Sequence, residues 1–307
     1  VLDYSVEGKE EEAQFDYALQ KILKILEFAK EDAAIPFVVF KPTGFGRFKI
    51  YQKLTEGTAL NNAENNEWQV IKERFNTVCS KAYEYGIPIL IDAEESWMQD
   101  AADALIENMM EKYNKKDVII FNTLQAYRWD KLDYLKDLHQ RSKRKGFKIG
   151  MKLVRGAYME NERERALKNG YNDPICKDKY TTDLLYNEVL NYMLDNLEDM
   201  EIFAGTHNEQ SSYLLMKVMK TKGLSENDKR IWFGQLYGMS DNISFNLAAL
   251  GYNVAKYLPF GPVKDVMPYL IRRAEENTSV AGQTTRELFL LKEEKTRRKK
   301  LTSSKEN

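Results

Sequence analysis

Eight short runs of β-branched or apolar residues, at 2–6, 37–41, 88–92, 118–122, 149–154, 202–206, 231–236 and 254–258, recur along this chain with helix-patterned stretches between most of them. In one such stretch Trp97, Ala101, Leu105 and Met109 stand four residues apart and share a helix face. Strand and helix in strict alternation mean parallel strands joined by crossover helices. Eight such units predict an α/β fold closed into a (β/α)8 barrel rather than an open doubly wound sheet. The open sheet would carry a glycine-rich phosphate fingerprint after its first strand, and there is none. The nearest sequence, Gly44-Phe45-Gly46, lacks the third glycine and falls in a loop.

The 307 residues fit one large barrel or two ordinary domains, and 43% apolar with 12% aromatic residues supply a core. Lys plus Arg number 46 against 47 Asp plus Glu, which excludes a nucleic-acid binder held by phosphate neutralisation alone. Cys79 and Cys176 make no disulfide framework and no zinc pattern, so a reducing compartment is the simpler expectation. The longest apolar runs, at 87–91 and 118–121, are too short to span a bilayer. The chain begins at Val1 instead of Met and reads as a fragment whose leader could lie outside it. The basic stretch 295–300, ahead of Thr302-Ser303-Ser304, reads as a frayed, solvated tail; the alternative is a surface that meets anionic lipid.

A barrel of this kind carries its functional residues at the C-terminal strand ends. Here those ends are polar throughout: Glu7, Lys41, Asp92, Gln125, Lys152 with Arg155, Thr206-His207-Asn208, Gln235 and Tyr257. Any one of them could be a satisfied polar residue, but all eight ends converge. After the last run, Val263, Val266, Met267, Leu270, Ile271 and Ala274 mark an amphipathic helix starting near Asp265, with Pro268 in its first turn. Tyr269, Arg272, Arg273 and Glu276 take its other face. That face is either a solvated surface with an Arg272–Glu276 pair or a bidentate clamp for a carboxylate or phosphate. His139 reads as a surface residue of a basic helix. Neither it nor His207 sits at metal-ligand spacing, and no HExxH or GxSxG motif occurs.

Five blocks carry a resemblance: Lys152-Leu153-Val154-Arg155-Gly156-Ala157-Tyr158; Gly205-Thr206-His207-Asn208; Phe233-Gly234-Gln235-Leu236-Tyr237-Gly238-Met239; Tyr257-Leu258-Pro259-Phe260-Gly261-Pro262-Val263; and Tyr269-Leu270-Ile271-Arg272-Arg273-Ala274-Glu275-Glu276-Asn277. Together with Leu2-Asp3-Tyr4-Ser5-Val6-Glu7-Gly8 and Ile91-Asp92-Ala93-Glu94-Glu95, they resemble the signature of proline dehydrogenase, in order, over most of the chain. The resemblance reaches the catalytic domain only, with no aldehyde dehydrogenase region. It implies a distorted (β/α)8 barrel over 1–285 with the last helix lying over the barrel mouth, followed by a helical, basic tail at 286–307. It also implies FAD bound without a Rossmann fingerprint, and oxidation of L-proline to Δ1-pyrroline-5-carboxylate by hydride transfer to flavin N5. Electrons then pass to a quinone. The implied location is cytoplasmic, peripheral on the inner face of the bacterial membrane, or alternatively the matrix side of the mitochondrial inner membrane.

By the same resemblance, Lys41, Arg272 and Arg273 form the substrate-carboxylate cage, and Leu236 and Tyr257 the wall against the substrate ring. Asp92 and Lys152 are catalytic-site residues, Lys152 also lying beside the flavin. Ala93, Gln125, Arg155, Gly156, Ala157, Thr206, His207 and Glu276 fall at cofactor positions, and Glu7 with Arg272 at a gate over bound substrate. No metal is implied. The competing expectations are an FAD oxidoreductase acting on another cyclic amine, such as hydroxyproline or pipecolate, and a non-catalytic barrel scaffold.

Overall fold

A computed structural model describes residues 1–4, 8–264, 266–267, 270–271, 288–289 and 291–298. The eight runs become strands β1 Leu2–Tyr4, β2 Val38–Phe40, β3 Ile89–Ile91, β4 Ile120–Gln125, β5 Ile149–Val154, β6 Met200–Gly205, β7 Ile231–Leu236 and β8 Val254–Phe260. Each pairs in parallel with its sequence neighbours, and β8 returns to β1 with Leu2 opposite Leu258 and Asp3 opposite Pro259, closing the barrel. Around it lie α1 Glu12–Glu31, α2 Phe48–Thr55, α3 Asn62–Tyr85, α4 Ser96–Tyr113, α5 Lys131–Lys145, α6 Met159–Asn169, α7 Lys179–Asp195, α8 Glu209–Thr221 and α9 Asp241–Ala249. Local chemistry sets several helix ends. Asn61 and Glu64 close a capping box on α3, and Asp178 accepts the Thr181 N–H at the start of α7. Left-handed Gly86 and Gly146 stop α3 and α5.

Strand alternation decides what faces the barrel axis. Val38 and Phe40 pack outward into the core under the helices, whereas Phe37 and Val39 join a separate inner cluster. Lys41 continues that inward series beyond the end of β2. In β3, Ile89 and Ile91 go outward and Leu90 inward, so Asp92 follows inward; in β5, Lys152 stands between outward Met151 and Leu153. Ala255 and Tyr257 are the inward pair of β8. Lower in the barrel, Phe37 meets Phe121, Phe203 and Trp232 edge-on with ring centroids 5.1–5.7 Å apart. Such pairs add about 0.5–1.5 kcal/mol each beyond the area they bury. Phe203 also touches Tyr257 at 6.0 Å, so an aromatic floor supports the polar level above it.

Some boundaries differ from the sequence expectation. The fourth strand starts two residues late because Asn114 Oδ1 accepts the N–H groups of Ile119 and Ile120 at 3.0 and 2.9 Å, and it runs on to include Gln125. Gly46 stands where Ile71 packs against the backbone: a Cβ there would lie 2.2 Å from the isoleucine, which gives this glycine a packing role. His139, expected at the surface, is buried. Its Nδ1 meets the Tyr192 hydroxyl at 2.9 Å and its Nε2 the Asp199 carboxylate at 3.0 Å, tying α5 to α7 and the loop before β6. No helix among the described residues is long and apolar enough to cross a membrane.

The chain divides into two compact units, Val1–Gly261 and Pro262–Asn307. In the second, helix begins at Val263, earlier than expected, since the Val266 N–H already reaches the Pro262 carbonyl at 3.1 Å. Residues 291–298 are helical, so 295–298 of the basic stretch read as a frayed tail continue a helix, and Glu294 accepts from Arg297 Nε and Arg298 Nε at 2.7 and 2.8 Å. Glu7, Arg272, Arg273 and Glu276 lie outside the described residues, so the gate, the arginine part of the cage and one cofactor position do too.

Candidate active site at the C-terminal rim of the barrel

Parallel pairing brings all eight strand ends to one rim, and closure makes distant sequence positions neighbours there. Asp92, one residue past β3, is the hub. Lys152 Nζ donates to its Oδ1 at 2.5 Å, and Lys41 Nζ donates to its Oδ2 at 3.0 Å. Tyr257 completes the group: its hydroxyl accepts from Lys152 Nζ at 2.9 Å and donates to Asp92 Oδ1 at 3.3 Å. The Lys152 ammonium also lies 4.4 Å from the Tyr257 ring centroid. All four side chains are buried. Leu236, opposite Tyr257 in the register, packs on the same inner cluster.

Burial pulls in one direction on this group and its charges in the other. Burial opposes ionisation of Asp92, but the ammonium groups of Lys152 and Lys41 outweigh it and hold the carboxyl well below the usual carboxylate range. Burial also pulls Lys152 below its ordinary value, and neighbouring Lys41 adds to that, while Asp92 and Asp3 pull the other way. Asp3, fully buried and inward by its place on β1, was not singled out in the sequence.

A second group spans the ends of β5 and β6. Arg155 Nε donates to Asp183 at 2.6 Å, one terminal nitrogen to Thr206 Oγ1 at 2.8 Å and the other to Ser211 Oγ at 3.0 Å, with the guanidinium over the Tyr186 ring. Each nitrogen of this fork has a protein partner, which stiffens the rim and uses three of its five N–H groups. His207 Nδ1 meets Ser240 Oγ at 2.9 Å, and Ser240 holds a positive φ of 50° at the start of α9. Gly156, at φ 137°, lies against the Tyr127 ring, which a Cβ would approach to 2.4 Å. Ala157 follows in the same loop.

Between the groups, Ala93 is buried beside Asp92, and Gln125 Nε2 donates to the Glu94 carbonyl at 3.0 Å. That fixes Gln125 with its oxygen turned away, and Gln125 Oε1 is buried with no hydrogen-bond partner among the described residues. Such an orphan acceptor calls for an N–H from a ligand. Sequence reasoning missed Asp183, Ser211 and Ser240; their only signal was an ordinary helix-start pattern.

A family model described as proline dehydrogenase matches residues 1–286. The chain belongs to the proline dehydrogenase family. It is 37% identical over 298 residues to the carbapenem antibiotics biosynthesis protein CarD of Pectobacterium carotovorum subsp. carotovorum, covering 97% of this chain and 77% of that protein. It is 40% identical over 233 residues to mitochondrial proline dehydrogenase 1 of Homo sapiens, covering 74% of this chain but only 39% of that one. The fold is similar to that in a crystal structure of proline utilization A from Bdellovibrio bacteriovorus inactivated by N-propargylglycine, with a TM-score of 0.81 at 21% identity over 92% of this chain and 30% of the other. Within the family frame, the lysine–aspartate–tyrosine hub and the Arg155 group occupy the end of the barrel where such folds hold their chemistry.

Proposed function

We propose that this chain is an FAD-dependent dehydrogenase that oxidises L-proline to Δ1-pyrroline-5-carboxylate. The observation that carries the reading is the buried Asp92 hub, with Lys41, Lys152 and Tyr257 converging on one carboxylate at the rim of a proline dehydrogenase barrel. Oxidation removes a hydride from the ring carbon beside nitrogen and a proton from the nitrogen, leaving a C=N bond. FAD, when bound, supplies the two-electron acceptor for that hydride. Gln125 Oε1 suits the N–H of a flavin ring, and Arg155, Gly156, Ala157, Ala93, Thr206 and His207, with Glu276, are the residues proposed to hold it. Gly156 lets its loop pass against the Tyr127 ring at a φ of 137°, which a residue with a Cβ could not do without a shift.

Lys41, with Arg272 and Arg273, orients the substrate carboxylate; fixing one small anion by several cations is the proximity contribution to the rate. Asp92 holds both lysine ammonium groups in place. Because its carboxyl stays ionised well below neutrality, it is a poor proton acceptor, so its role is orientation and not general base. Lys152, ion-paired with Asp92, places an ammonium at the buried rim, where it would stabilise negative charge that builds during the reaction. Tyr257 and Leu236 wall the ring, and Glu7 with Arg272 closes over it. Electrons leave to a quinone through peripheral membrane contact, at the bacterial inner face or the mitochondrial matrix side.

The deciding experiment is the visible spectrum of the purified protein before and after anaerobic L-proline. Flavin bands that bleach with proline and not with hydroxyproline are expected. Bands that stay oxidised, or a folded sample that takes up no added FAD, would overturn the reading. The name of the Pectobacterium relative favours a second setting, carbapenem antibiotic biosynthesis. A host lacking the gene that still grows on proline as sole nitrogen source would favour that setting over catabolism.

A further inference from the structure

We propose that Gln99, Asp103 and Lys131 form a buried positioning relay that sets the spacing between Lys41 and Asp92. Only its catalytic readout rests on the function proposed above. Asp103, on α4, accepts three hydrogen bonds: from Lys131 Nζ at 3.0 Å, from Asn122 Nδ2 at 2.9 Å and from Gln99 Nε2 at 2.7 Å. A carboxylate can only accept, so it fixes which end of the Gln99 amide faces it. The nitrogen of Gln99 turns to Asp103 and its oxygen must therefore turn to the rim, where it accepts the Glu94 N–H at 2.8 Å. The charge on one helix thus dictates the polarity of a contact on the neighbouring loop.

Glu94 is the point where that polarity becomes position. Its carbonyl accepts from Gln125 Nε2 at 3.0 Å, and its carboxylate takes the Thr43 N–H at 3.0 Å and the Thr43 hydroxyl at 2.5 Å. Thr43 lies two residues beyond Lys41, and Glu94 two beyond Asp92. One residue therefore joins the tips of β2, β3 and β4, and the relay holds it from behind. Gln99, Asp103, Asn122, Lys131, Glu94 and Thr43 are all buried. An ion pair so deep gains little stability over apolar side chains of the same volume, so its use here is to fix geometry.

The test replaces Gln99 by Met, which fills the same space but can neither accept the Glu94 N–H nor donate to Asp103. Asp103→Asn also removes the counter-charge of Lys131 and risks unfolding, so Gln99→Met, which leaves that pair in place, carries the experiment. Two readouts are taken on the full chain: hydrogen exchange at the Glu94 amide, and kcat and KM for L-proline per flavin bound. Expected are exchange at Glu94 faster by about tenfold or more, and a fall in kcat of about tenfold with KM changed less than the rate, because misplaced reacting groups cost turnover before they cost binding. Unchanged exchange at Glu94 overturns the relay. Faster exchange with unchanged kcat per flavin overturns its positioning role. If the wild type oxidises no proline while exchange at Glu94 still rises in the variant, the relay stands and the proposed reaction falls.

Discussion

Replacing Asp92 by Asn isolates what the ionic hub contributes. The variant keeps the shape of the side chain and removes the charge that faces Lys152 Nζ at 2.5 Å and Lys41 Nζ at 3.0 Å. Removing one partner of a buried ion pair costs about 3–5 kcal/mol, because the charge left behind has lost both water and partner. Burial already pulls Lys152 toward its neutral form, so the ammonium can give up its proton and relieve part of that cost. The lower end, about 3 kcal/mol at pH 7, is therefore expected. At roughly 2–4 °C per kcal/mol in a domain of this size, thermal unfolding should shift down by roughly 6–12 °C. The sign with pH follows from the depressed carboxyl: the contribution of Asp92 is complete above the ordinary carboxylate range near pH ~4 and fades as pH falls through its lower folded value. Circular dichroism melts from acid to pH 8 should show a steady gap at neutral pH that narrows in acid. A variant that melts within about 2 °C of wild type at pH 7 would refute the energetic account of the hub.

Three further outcomes are expected. Burial raises the Glu201 carboxyl to about 7, so the native state holds a proton that the unfolded chain releases, and stability falls as pH rises from the ordinary carboxylate range through 7. Glu201→Gln should therefore be more stable than wild type at pH 8 by on the order of 2 kcal/mol and lose that advantage near pH ~5, read from urea midpoints. Gly156→Ala places a methyl 2.4 Å from the Tyr127 ring at a φ of 137°, and should cost roughly 1–3 kcal/mol in a thermal melt and, for the cofactor proposed above, weaken FAD retention on dialysis. Tyr257→Phe removes a hydroxyl that accepts from Lys152 and donates to Asp92; about 1 kcal/mol of stability should go, with a clear fall in kcat/KM for proline, and an unchanged kcat/KM would remove Tyr257 from the site.

The closed barrel was legible because strand periodicity is a local signal: each of the eight runs carries its own apolar residues, and β5 and β7 match the expected bounds to the residue. Lys41, Asp92, Lys152 and Tyr257 were legible as strand-end residues, but their convergence on one carboxylate follows from closure of the sheet. Other features needed the tertiary structure. His139 looks exposed in a basic helix, and only the Tyr192 hydroxyl and the Asp199 carboxylate of other elements make its burial tolerable. Asp103 and Lys131 are 28 positions apart on different helices, so no periodicity links them. Asp183 and Ser211 look like ordinary residues near helix starts until Arg155 reaches across to them.

The ring of Phe37, Phe121, Phe203 and Trp232 also bears on traffic. Phe37, with the other three edge-on around it, stoppers the barrel beneath the charged level, so the Asp92 hub is closed off from that side. Solvent and protons do not reach the hub through the N-terminal end of the barrel. Opening a hole in the stopper, by trimming Phe37 to alanine, should admit water from below and weaken the ionic contacts above it.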